Sequence, residues 1–146
     1  MMPTREVSSA AELVQELRAN IVDVQFFALE AKIDEQSDVD EFPSNVVPAF
    51  SMQVRQDGAE IGVRLSVRLE LGVGQVHVDA AATYVANEEF TMGEPASLEF
   101  ANEVGVMALL PYIRQAIADL TQKVFGNVVL LPVVQRGAIQ FTRNDG

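Results

Sequence analysis

The run NEVGVMALLPYIRQAIADLTQKVFGNVVLLPVV, residues 102–134, decides how the rest of the chain must fold. Val106, Leu109, Leu110, Ile113, Ile117, Leu120 and Val124 recur at three- and four-residue spacing, which predicts a helix over 102–125 with one apolar stripe. Such a stripe needs a sheet to cover. Pro111 has no amide donor and clashes with the preceding turn, so the helix either kinks there or restarts with Pro111 in its first turn. Gly126 and Asn127 suit a left-handed cap. The apolar run 128–134 either folds back onto the core or completes a hydrophobic groove.

The sheet is legible upstream. Residues 21–33 alternate at first, with Val22, Val24, Phe26 and Ala28 against Asp23 and Gln25, but Phe27, Leu29 and Ile33 are apolar in the opposite phase. Either a bulge switches the face midway or both faces are partly covered. In 46–56, Phe50, Met52 and Val54 share a face opposite Ser51, Gln53 and Arg55, and Asp57-Gly58 supplies a tight turn. In 59–72, Ile61, Val63, Leu65, Val67, Leu69 and Leu71 oppose Glu60, Arg64, Ser66, Arg68 and Glu70. After Gly72-Val73-Gly74, residues 75–86 place Val76, Val78, Ala80, Ala82 and Tyr84 opposite Gln75, His77, Asp79 and Thr83. These four strands predict an α+β fold: an antiparallel sheet with one wet face and one face under the long helix. Ser9 and Glu12 have capping-box spacing and predict a short amino-terminal helix over 8–19 with Leu13 and Leu17 inward.

Between the first two strands, DEQSDVDEFP (residues 34–43) carries five acids and no base, and reads as a solvated crossover loop. Its lone aromatic, Phe42, either plugs the base of the loop or lines a groove. A helix is about 10 Å wide and strands lie nearly 5 Å apart, so one helix covers about half of four strands. Apolar surface is therefore left over, predicting oligomerisation and a groove beside the helix.

Composition narrows the function. The chain has 146 residues, 49% of them hydrophobic, and no composition shift, which fits one domain over 1–146. A net charge of -11, with two lysines and eight arginines, argues against nucleic acid or an anionic membrane as the main partner. There is no cysteine, and the start MMPTREVSSAAELV carries Glu6 and Glu12 rather than a signal-peptide core. No apolar run is long enough to cross a bilayer, so the chain reads as cytoplasmic without membrane insertion.

Chemistry-bearing patterns are sparse. His77 and Asp79 share one side of a strand but need a third partner before they suggest a site. The acids Asp34, Glu35, Asp38, Asp40 and Glu41 lack the spacing of a calcium loop, and no phosphate-binding glycine motif occurs. The reading is a non-enzyme with no cofactor and no metal.

Leu109-Leu110-Pro111-Tyr112-Ile113-Arg114, followed by Ile117, Leu120-Thr121 and Val128-Val129-Leu130-Leu131-Pro132-Val133, resembles the proline-bearing helix and following LxLxPV segment of the SecB-type export chaperones and their SecB-like relatives, some of which serve toxin–antitoxin pairs. The order of elements over residues 22–134 resembles theirs too. The second short helix of SecB proper is not evident, and the amino-terminal helix is similar to that of the SecB-like relatives. The resemblance implies a homotetramer, a dimer of dimers, that holds unfolded polypeptide clients without ATP, for protein export or for a dedicated client such as an antitoxin. It implies a client groove at Phe26, Phe42, Val46, Phe50, Met52, Val54, Val124 and Phe125, although each also fits a core position. Leu109, Ile113, Ile117 and Leu120 would contribute to the oligomer interface. Asp79 would match one acid of the patch that docks the SecA translocase motor, while Ala31 and Lys32 stand where its partner acid is expected. A non-catalytic scaffold with a permanently filled groove fits the same residues.

Overall fold

The computed structural model of the chain describes residues 4–39, 41–43 and 46–131. Asp40, the Pro132-Val133-Val134 run and the last dozen residues lie outside them. The elements are β1 (Arg5–Val7), α1 (Ala10–Gln15), β2 (Asn20–Ile33), β3 (Ala49–Asp57), β4 (Glu60–Glu70), β5 (Gly74–Val85), β6 (Phe90–Met92), α2 (Glu94–Phe100), a π-helical turn (Ala101–Gly105) and α3 (Val106–Phe125).

The four long strands form one antiparallel sheet in the order β2-β5-β4-β3, so the crossover from β2 to β3 joins the two edges. Alternation sorts the faces as the sequence predicts: Ile61, Val63, Leu65, Val67 and Leu69 are at most 1% exposed, while Arg64 and Arg68 point outward. In β2 the register shifts between Ile21 and Asp23 and again between Phe26 and Ala28. The second shift is the face-switching bulge. Leu29 pairs with Val78 and Ala31 with Val76, back on the inner face of Val24 and Phe26, whereas Phe27 is turned to the outer face.

Three elements, β1, β6 and α2, are not legible in the sequence. β1 and β6 pair in parallel as a separate two-stranded sheet, and the helical run begins at Glu94 rather than residue 102, with Pro95 in its first turn. The irregularity expected at Pro111 lies earlier. Val106 donates to the carbonyl of Ala101, five residues back, and α3 then passes through Pro111 without restarting. Gly105 explains where this turn rests, because a Cβ there would fall 2.5 Å from Cγ2 of Val63 on β4. From that contact α3 packs over β5 and β2, ending at Gly126 in the left-handed conformation, φ 74°.

The amino-terminal helix is shorter than expected. Ser9 caps it by accepting from the Glu12 amide at 3.1 Å, and Glu12 accepts in turn from the Ser8 amide at 3.0 Å. That second bond holds the Glu12 carboxyl below its usual range. Arg18, at φ 55°, takes the chain out of helix before Ala19.

Candidate functional site

The oblique path of α3 leaves the inner face of β3 to other cover. Phe50, Met52 and Val54 are only half-buried there, and they alternate with exposed Ser51, Gln53 and Arg55. The crossover loop closes one end. It passes the β4–β5 turn, where Ser37 Oγ donates to the Gly72 carbonyl at 2.7 Å, and brings Phe42 to 6.1 Å from Phe125, ring centre to ring centre. Phe125 packs in turn over Gly74, where any side chain would clash with its ring. Phe42 is thus anchored on the helix end and still half-exposed, as is Val46.

The apolar run after Gly126 folds back, as one of the two expectations had it. Thr121 Oγ1 donates to the Ile117 carbonyl at 2.7 Å and accepts from the Val129 amide at 2.9 Å. Arg114 Nε donates to the Leu131 carbonyl at 3.0 Å. Val129 and Leu131 are buried, while Val128 and Leu130 are 48% and 71% exposed. This segment therefore runs antiparallel along the flank of α3 that carries Arg114 and Thr121. Leu120, turned about 100° from Thr121, borders a cleft of about 630 Å³ with Leu29 and Ala31 on the β2 side. The return segment accordingly lies on the flank of α3 turned away from that cleft.

Of the eight expected groove residues, Phe50, Met52 and Val54 share the inner face of β3, Phe42 and Phe125 pack together at the Gly74 end of β5, and Val46 is half-buried in the crossover. Phe26 lies apart from β3. It sits on β2, with β5 and β4 between it and β3. Val124 is half-buried and continues the sheet-facing stripe of Ile113 and Ile117. Leu109, Ile113 and Ile117 are 0% exposed within the single chain, so they belong to its own core and offer no contact to a partner; Leu120 is half-buried. Half-buried Met92, Val104 and Met107 were missed, as were buried Phe90 and Phe100. Phe90 and Met92 do share the two-residue period of a strand, and Ala96, Phe100 and Ala101 helical spacing after Pro95.

The outer face holds the other expected site. Asp79 is buried, and its carboxylate accepts both guanidinium donors of Arg64, at 2.9 and 2.8 Å. The bond to Asp79 raises the Arg64 pKa further. The bulge places the Phe27 ring 4.1 Å over the guanidinium. Asp79 is thus already paired within the chain. Beside it, Ser66 Oγ lies 2.9 Å from His77 Nε2, and Glu30 lies 3.5 Å from His77 Nδ1. His77 thus lies between Ser66 and Glu30 on the outer face of the sheet, and Asp79 is not its partner. Among the described residues no His, Cys, Asp and Glu cluster could hold a metal, and no helix is long and apolar enough to cross a membrane.

No protein-family model matches the chain. The SecB-like chaperone SmegB of Mycolicibacterium smegmatis is 28% identical over 145 residues, 98% of this chain and 95% of that protein. The likeness to that SecB-like chaperone runs over nearly the full length of both chains. A solved structure of the Mycobacterium tuberculosis Rv1957 SecB-like chaperone, in complex with a ChAD peptide from the Rv1956 HigA1 antitoxin, superposes with a TM-score of 0.69 at 20% identity, over 86% of this chain and 96% of that one. The two chains share a fold.

Removing the Arg64 charge while keeping its stem, by Arg64→Met, leaves the Asp79 carboxylate buried and unpaired. Urea denaturation should show a lower midpoint than the unsubstituted chain's. Arg64→Met with Asp79→Leu should recover most of the difference. An unchanged midpoint in the single variant would contradict the pairing.

Proposed function

We propose that this SecB-like chain is an ATP-independent chaperone that holds unfolded polypeptide in the groove over β3. The observation that carries the reading is the half-buried apolar face of Phe50, Met52 and Val54 on an edge strand over which α3 does not pack. Such a surface is too exposed for a core and too apolar to stand empty. A methionine such as Met52 suits a site that adapts to many side chains. A charge of -11 keeps a protein with such a surface in solution and favours basic unfolded segments. A dedicated client, an antitoxin among the candidates, fits better than handover to the SecA motor, because Asp79 is engaged by Arg64. The peptide named with the Rv1957 structure supports a peptide client. The reading places the protein in the cytoplasm.

The test is aggregation suppression, without nucleotide, of two unrelated unfolding proteins at near-stoichiometric ratio. Both should be held, and Phe50→Ala should weaken client binding by about 1–2 kcal/mol. A scaffold with a filled groove would protect neither, and that result would overturn the proposal.

The assembly we infer is a homo-oligomer, a dimer or a tetramer, with a surface other than the one expected. Ile21, Val22, Leu29 and Ile33, all on β2, are 38%, 58%, 50% and 50% exposed. They and half-buried Leu120 replace Leu109, Ile113 and Ile117 as the contact. Light scattering should give a mass of two or four chains, and Leu29→Asp with Ile33→Asp should release folded monomer. A wild-type monomer at micromolar concentration sinks the assembly.

A further inference from the structure

We propose that the free edge of β3 is a strand-addition site, where an extended client segment pairs its main chain with Phe50, Met52 and Val54 and lays alternate side chains in the groove. The inference rests on the client-binding reading and names how the client is gripped.

The hydrogen-bond phase of the sheet carries it. Leu71 donates to the Gly74 carbonyl at 2.8 Å, so the odd-numbered residues of β4 bond to β5 and the even-numbered ones to β3. Through the pairs Ser51 with Ser66, Gln53 with Arg64 and Arg55 with Gly62, those three β3 residues turn their main chain inward. Phe50, Met52 and Val54 turn theirs to the open side, where no strand pairs among the described residues. The same three carry the half-buried inner side chains. One residue set therefore presents main-chain bonds and apolar contact together.

The two edges of the sheet differ in fitness for this. β2 breaks register twice, whereas β3 pairs with β4 from Ala49 to Asp57 without a shift. Bulges blunt an edge, and β3 has none. Its far end is already used in this manner by the chain itself. The Gln56 side-chain amide accepts from the Met92 amide at 3.2 Å and donates to the Phe90 carbonyl, as a strand neighbour would. That contact closes the site beyond Val54. Five residues remain, about 17 Å of extended chain. The occupant must offer unpaired main-chain groups and alternating side chains at once, which is the chemistry of an unfolded segment and not of a folded surface.

Amide exchange followed by NMR tests this, with a protein held unfolded by blocked cysteines as the probe and fluorescence anisotropy to confirm binding. On binding, the amides of Phe50, Met52 and Val54 should exchange at least about tenfold more slowly, and those of Ser51 and Gln53, already bonded to β4, should not change. Binding without that slowing overturns strand addition and leaves the groove reading standing, while failure to bind overturns both. Slow exchange at the three amides before any probe is added also overturns it, since a second copy or another part of the chain then holds the edge. As a second measure, Met52→Pro removes an outward amide that an edge strand can lose. It should bind the probe about fivefold more weakly than Met52→Ala; equal affinities would refute the proposal.

Discussion

Gly105 lets the helical run settle on Val63 of β4, and the rest of the architecture follows from that contact. A helix lowered onto one inner strand at its start, and lying over β5 and β2 further on, must cross the sheet obliquely. It is too narrow to cover four strands. Its flank is lined by the return segment, held by Thr121 and Arg114, and its end by Phe42 packed against Phe125. What stays open is the groove. The same path leaves Leu29 and Ile33 half-exposed at the opposite edge, so one packing constraint produces both the candidate client surface and the candidate subunit contact.

The outer face follows a different logic. Its polar residues are paired with each other across strands: Arg64 with Asp79, Ser66 with His77, His77 with Glu30. An acid that looks available in a list of residues is consumed by a cation one strand away. Asp79 is paired in this way with Arg64. Phe27, exposed by the bulge, is likewise fixed over Arg64 rather than free.

The sheet and its inward faces were legible because period-two alternation in β4 and β5 is nearly perfect, and the helix because its stripe is long. Groove and core were not separable from pattern, since Met52 and Leu65 look alike until the path of the helix is known. Leu109, Ile113 and Ile117 read as an interface because a sequence shows an apolar stripe but not which sheet it meets. β6 and α2 escaped notice for a local reason: three-residue strands and a seven-residue helix carry too few repeats for either period to stand out. Phe26 was grouped with Phe50 by residue type, and the crossover placed the two strands at opposite edges.

The central claim is that unfolded polypeptide lies on the inner face of β3. A benzophenone crosslinker substituted at Met52, on the groove floor, or at Gln53, on the outer face of the same strand, measures this directly. The account predicts that an unfolded client is captured at Met52 and not at Gln53, since adjacent residues of a strand face opposite sides. Equal capture at both positions, or capture at Gln53 alone, would contradict it.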